Sequence, residues 1–224
     1  MVNRKAWEDL QAELKPANVT LIAVSKTKPA GDINELYSLG QRDFGENYVQ
    51  ELTEKQGALP TDINWHFIGH LQGNKVKYIA PFVHLIHTVD SFKLLVEINK
   101  QAGKCSRVID VLLQMYIADE ETKFGMDEKE IINFLDYYDA QKEALCNVRI
   151  CGLMGMATNT DDEQKIRTEF ATLINFFNFL ANSTFLGKPF FRICSMGMSS
   201  DYKLAVAEGG NMVRIGSMLF GNRQ

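Results

Sequence analysis

The chain has 224 residues, 46% of them hydrophobic, and a formal net charge of −4 from 24 Lys and Arg against 28 Asp and Glu. That is enough apolar material for one sizeable core in a single domain, residues 1–224, and an acidic chain without an arginine-rich stripe is a poor partner for nucleic acid. No apolar run reaches the length of a membrane span, the first residues lack the apolar stretch of a signal peptide, and Cys105, Cys146, Cys151 and Cys194 form no C-x-x-C pair, so a cytoplasmic, reduced setting is expected.

A helix is predicted over 4–14. The apolar run Val19 to Val24 then reads as a buried strand, and further strands are expected to end near Phe44, Phe67, His87, Met115, Leu153, Cys194 and Ile215. Helical patterns fill the intervals, over 32–39, 48–56, 74–80, 91–101, 127–136, 161–182 and 201–208. Several open on a residue suited to an N-cap: Asp32, Ser91, Asp127, Asp161 and Asp201. Strict strand–helix alternation predicts an α/β protein with a parallel sheet. Eight repeats point to a (β/α)8 TIM barrel with an extra N-terminal helix. An open doubly wound sheet is the alternative, because alternation alone does not prove closure.

In such a barrel the chemistry gathers at the carboxyl ends of the strands. Lys26 follows the first strand. A lysine there, partly withdrawn from water, is a nucleophile toward aldehydes and so a candidate Schiff-base residue. Ser195-Met196-Gly197-Met198-Ser199 follows the seventh strand, and Arg214-Ile215-Gly216-Ser217 closes the eighth. Loops in these two places commonly hold phosphate, although such glycines also make tight turns and such serines also cap helices. First and eighth strands adjoin in a closed barrel. An amine on one and an anion site on the other suit a phosphate-bearing aldehyde, which matches pyridoxal 5'-phosphate.

Other signals point elsewhere. His66 and His70 stand four apart but straddle a strand end without the glutamate of a metalloprotease helix, so no metal site is expected. Glu46 reads as a helix cap, His84 and His87 as strand residues, Lys28 and Lys75 as solvated, and Lys123 as a surface lysine. Met154, Met156, Met196 and Met198 either border a ligand or pack the core.

The motifs Ala23-Val24-Ser25-Lys26-Thr27-Lys28-Pro29, Phe44-Gly45-Glu46-Asn47-Tyr48-Val49-Gln50-Glu51, Trp65-His66-Phe67-Ile68-Gly69, Leu71-Gln72 with Asn74-Lys75, Gly152-Leu153-Met154, Ser195 to Ser199, and Val213-Arg214-Ile215-Gly216 with Phe220-Gly221 occur in this order. Through them the chain resembles the pyridoxal phosphate homeostasis proteins, short relatives of the N-terminal barrel of alanine racemase. The resemblance implies a fold-type III barrel with the cofactor held as an imine on Lys26. It further implies phosphate on Ser195, Gly216 and Ser217, Arg214 facing the pyridine nitrogen, and Asn47 lining the pocket near the ring. Ser217 stands where the family often has threonine, which keeps the hydroxyl.

The implied function is intracellular vitamin B6 homeostasis and amino-acid balance, by a carrier with no catalytic residue. Apo-enzymes would be the recipients, and a monomer or weak dimer is expected. The alternative is a pyridoxal-phosphate-dependent amino-acid racemase. Racemisation needs a second base, which alanine racemase draws from a tyrosine in a further domain; the chain ends at Gln224, just after the eighth unit, so that domain is expected to be absent. A phosphosugar enzyme is a third class, since such barrels share the strand-end lysine and the phosphate loops.

Overall fold

The computed structural model describes residues 2–118 and 124–221; Lys123 lies outside the described residues. Helix α1 (Arg4–Leu14) is capped by the Asn3 side chain, which accepts from the Ala6 N–H at 3.1 Å. Strands and helices then alternate: β1 (Thr20–Val24), α2 (Ala30–Ser38), β2 (Asp43–Glu46), α3 (Val49–Ala58), β3 (Asn64–Phe67), α4 (Val76–Ile79), β4 (Leu85–Val89), α5 (Phe92–Lys104), β5 (Ile109–Gln114), α6 (Glu128–Ala140), β6 (Val148–Met154), α7 (Glu163–Ala181), β7 (Ile193–Ser195), α8 (Tyr202–Ala207), β8 (Met212–Ile215) and α9 (Ser217–Phe220).

Every strand pairs in parallel with the next, and β8 pairs with β1 through Thr20↔Met212, Leu21↔Val213, Ile22↔Arg214 and Ala23↔Ile215. The sheet is therefore a closed barrel, which removes the open-sheet alternative. No described helix is long and apolar enough to cross a membrane.

The period of two along each strand sorts side chains into two layers. Outward-facing Leu21, Ala23, Phe44, Trp65, Phe67, Val111, Leu113, Val213 and Ile215 pack under the helices, where α7 contributes Phe170, Leu173 and Phe177. Inward-facing Ile22, Leu85, Leu112, Cys151, Met154 and Met212 form a smaller apolar cluster on the barrel axis. Burial of this order stabilises by roughly 25 cal/mol per Å² of apolar surface removed from water.

Side-chain caps open α1, α5, α6 and α7. Ser91 caps α5, and Asp127 opens α6 through a reciprocal capping box with Glu130. The cap of α7 is Asp162 rather than Asp161, and Asp32 sits inside the first turn of α2, whose cap position is Pro29. Asp201 precedes α8 but bonds backward, accepting the Met198 N–H at 2.5 Å. Strand β4 runs two residues past His87, to Val89.

Candidate functional site

The carboxyl ends of the strands surround a cavity of about 680 Å³. Its lining includes Lys26 after β1, Asn47 after β2, Ile68 after β3, Met198 to Ser200 after β7, and Arg214, Gly216 and Ser217 on and after β8. Five of the six residues singled out for the cofactor thus meet in one place. The volume lies in the range of small-molecule sites.

Lys26 is half-buried, and the chain on both sides of it is gripped by one ionic cluster. The Lys55 ammonium, on α3, donates to Ser25 O at 2.7 Å, Glu46 Oε1 at 2.7 Å and Glu51 Oε1 at 2.6 Å. Ser25 Oγ donates to Glu46 Oε1 at 2.6 Å, and the Thr27 N–H donates to Glu51 Oε1 at 2.6 Å. Thr27 holds φ +64°, a left-handed conformation that a β-branched residue seldom adopts. The cluster thus offsets strain in the residue next to Lys26. Glu46 is not a helix cap: it ends β2, points outward and is fully buried. Burial pushes its carboxyl above the usual range, and the charge of Lys55 pulls against that rise.

Asn47 is held by a close backbone approach. A Cβ on Gly69 would sit 2.2 Å from Asn47 O, and Thr88 Oγ1 donates to Gly69 O at 2.6 Å. The Asn47 Oδ1 atom is buried and without a hydrogen-bond partner among the described residues. An unsatisfied acceptor on a cavity wall suits a bound polar ligand.

Arg214 is buried on β8. Its Nη1 donates to Ser195 Oγ at 2.6 Å and its Nη2 to Gly155 O at 3.0 Å. Burial lowers its pKa to about 10, with the charge of Asp201 opposing, so it remains a cation at neutral pH. Ser195 lies deeper than the other five. It is fully buried, its hydroxyl faces the barrel axis, and it is not part of the cavity lining. The reason is the period of two: Ser195 ends β7 on the inward side. The chain then turns at Gly197, where φ is +91° and a Cβ would lie 2.6 Å from Ala205 Cβ, before Ser199 and Ser200 reach the wall. Ser199 Oγ accepts the Gly216 N–H at 3.2 Å and so joins the two loops.

Other residues resolve as follows. Met156 and Met198 line the cavity, whereas Met154 and Met196 are buried in the core. Lys75 is exposed, as expected, but Lys28 lines the cavity and donates to Phe220 O at 3.0 Å. His70 is exposed and stacks on Phe124, ring centroids 4.2 Å apart. His66 instead points into the barrel, 2.9 Å from His87, and at the amino-terminal mouth the ligand-type atoms of Asp43, His66 and His84 lie within 4.8 Å of one another. The roles of Lys55, His66 and His87 were not read from sequence. An i, i+4 pair such as Glu51 and Lys55 is ordinarily a surface feature of a helix, and periodicity makes His87 an ordinary strand residue.

Comparison with known proteins agrees with this geometry. Residues 4–224 match the family described as alanine racemase, N-terminal domain. The chain is 39% identical over 205 residues to the pyridoxal phosphate homeostasis protein of Aquifex aeolicus, covering 91% of this chain and 87% of that one. It is 36% identical over 228 residues to the protein of the same name from Synechocystis, covering all of both. Among solved structures, PipY of Synechococcus elongatus with PLP bound superposes with a TM-score of 0.83 at 37% identity, over 97% of this chain and 99% of that one. The chain belongs to the alanine racemase N-terminal domain family, among its pyridoxal phosphate homeostasis proteins.

Proposed function

We propose that this protein binds pyridoxal 5'-phosphate through Lys26 and holds it for exchange in vitamin B6 homeostasis and amino-acid balance, rather than using it as a committed catalyst. The observation that carries the reading is the composition of the cavity wall. An amine stands at one end, on the β1 side, and hydroxyls of Ser199, Ser200 and Ser217 stand on the β7 and β8 loops. Among the described residues, the wall holds no carboxylate, imidazole, thiol or phenol. Asn47 Oδ1 supplies the orphaned acceptor that fits a polar ring substituent.

When bound, pyridoxal phosphate supplies an aldehyde that condenses with amines and a ring that accepts electrons. Lys26 provides the amine. The hydroxyls of Ser199, Ser200 and Ser217 offer donors to the phosphate beside the Gly216 backbone, whose N–H is joined to Ser199 Oγ. Arg214 donates only, so a ring nitrogen placed against it accepts a hydrogen bond and carries no proton of its own. That arrangement favours amine exchange over stabilisation of a carbanion.

Racemisation would need acid–base groups on both faces of an α-carbon. Besides Lys26, the described wall offers Lys28, whose ammonium is engaged by Phe220 O. In this reading the protein acts in the cytoplasm as a monomer or weak dimer and hands its cofactor to apo-enzymes. The test is to incubate the loaded protein with alanine and, separately, with an apo-enzyme that uses the cofactor. Negligible racemisation together with reactivation of the apo-enzyme is expected. Racemisation at roughly one turnover per second or faster would overturn the carrier reading.

A further inference from the structure

We propose that His87 is a positioning residue for Arg214, within a one-directional file of hydrogen bonds that runs from Arg214 through the barrel to Asp43, in which His87 and His66 are both protonated on Nε2 alone. The file runs Arg214 Nη1 to Ser195 Oγ (2.6 Å), Ser195 Oγ to His87 Nδ1 (3.2 Å), His87 Nε2 to His66 Nδ1 (2.9 Å) and His66 Nε2 to Asp43 Oδ1 (3.0 Å). Its importance to the cofactor rests on the pyridoxal phosphate reading; its existence does not.

The ends fix its direction. Arginine has donors and no acceptor, and an ionised carboxylate has acceptors and no donor. Ser195 is fully buried and already accepts from Arg214, so its own proton must go to the other partner within reach, His87 Nδ1. A bare Nδ1 leaves the His87 proton on Nε2, where it is donated to His66 Nδ1. That in turn places the His66 proton on Nε2, facing Asp43. Each step satisfies one donor and one acceptor, and every hydrogen is assigned by this accounting rather than by its observed position. The reverse direction would leave the Ser195 hydroxyl hydrogen with no acceptor in a buried setting, which is unfavourable. Full burial of His87 also disfavours its charged form and holds its pKa well below the ordinary value.

The consequence falls on Arg214. Its guanidinium is planar and held at two points, Ser195 Oγ and Gly155 O. Fixing the Ser195 hydroxyl on His87 turns the oxygen's lone pairs toward Nη1, so His87 determines the plane that Arg214 presents to the cavity. Asp43 and Asn64, which donates to Asp43 at 3.1 Å, anchor the tail at the amino-terminal mouth.

Two measurements test the proposal. The first is ¹⁵N NMR of the histidine rings in ligand-free protein at neutral pH. His66 and His87 are expected to be neutral, with a protonated Nε2 and a bare Nδ1. Either ring protonated at Nδ1, or on both nitrogens, overturns the file, and this measurement needs neither a variant nor the cofactor.

The second compares pyridoxal phosphate affinity for His87→Asn and His87→Gln, after a melting curve shows each to be folded. Asparagine sets a carboxamide oxygen near the place of Nδ1 and can accept from Ser195; glutamine, reaching toward the place of Nε2, does not. His87→Asn is expected to bind within about threefold of the parent and His87→Gln to lose roughly tenfold, about the loss of one hydrogen bond. Equal affinities for the two variants would reduce His87 to a space-filling role and overturn the positioning. A parent protein that takes up no cofactor would instead strike the reading of the site, leaving the NMR result to judge the file.

Discussion

Two anchors converge on the cavity, and they are built from opposite chemistry. The turn carrying Lys26 is held outside the barrel by a charged cluster, two carboxylates sharing the Lys55 ammonium between β2 and α3. Arg214 is held inside the barrel by polar side chains of β2, β3, β4 and β7. The difference follows from what each place can bear. Glu51, on the surface helix, is partly exposed and lets the outer cluster keep charge in reach of water. The barrel axis is buried and flanked by Ile22, Leu85 and Leu112, where an unpaired charge is costly. There the hydrogen bonds are carried by hydroxyl and imidazole, which satisfy donors and acceptors without adding ions.

Substitutions in the outer anchor should therefore cost more than equally placed ones in a neutral network. Lys55→Met strands the Glu46 carboxylate in a fully buried setting and is expected to destabilise by about 3–5 kcal/mol in urea unfolding. Adding Glu46→Gln should recover much of that loss. A loss below about 1 kcal/mol for Lys55→Met alone would mean that the cluster behaves as a surface pair.

A second contrast lies in pH. Burial raises the folded-state pKa of Glu46 above its ordinary 4.5, against the pull of Lys55. A raised carboxyl binds its proton more tightly when folded, so its contribution is fully present below about 4.5 and is lost as pH rises through the folded value. Relative to wild type, Glu46→Gln should show a flatter stability profile as pH rises from 4.5 toward neutrality. A difference that grows more favourable to wild type over that window would contradict the assignment.

The smallest expected effect is at Thr27. Glycine there relieves the left-handed strain at φ +64° but adds freedom to the unfolded chain, so Thr27→Gly should change stability by roughly 0.5 kcal/mol in either direction. A loss above about 2 kcal/mol in thermal melting would show that the threonine side chain, not the turn, carries the position.

What was legible in the sequence divides along the same line. The strands showed as apolar runs because each buries one face under helices such as α7. Lys26, Asn47, Arg214, Gly216 and Ser217 line one cavity because they sit at or just beyond strand ends, where position along the chain maps onto position around the rim. Ser195 lies one layer deeper, since the last residue of β7 faces the axis and the wall is reached only after Gly197. The file of His66 and His87 was illegible for a related reason. Periodicity says that a residue points inward, but not which inward residues of β3, β4, β7 and β8 stand at the same height. Lys55 was missed because an i, i+4 pair on a helix ordinarily faces water, and nothing local reveals that α3 turns this one onto β2.

The most direct test of the central claim is to load the protein with pyridoxal phosphate, reduce with borohydride, digest and locate the modified residue by mass. Among the described residues, two lysines, Lys26 and Lys28, line the cavity, so the outcome is discriminating. A single pyridoxyl adduct on Lys26, lost in Lys26→Ala, is the predicted result. An adduct on Lys28, scattered adducts on surface lysines, or none at all would contradict it.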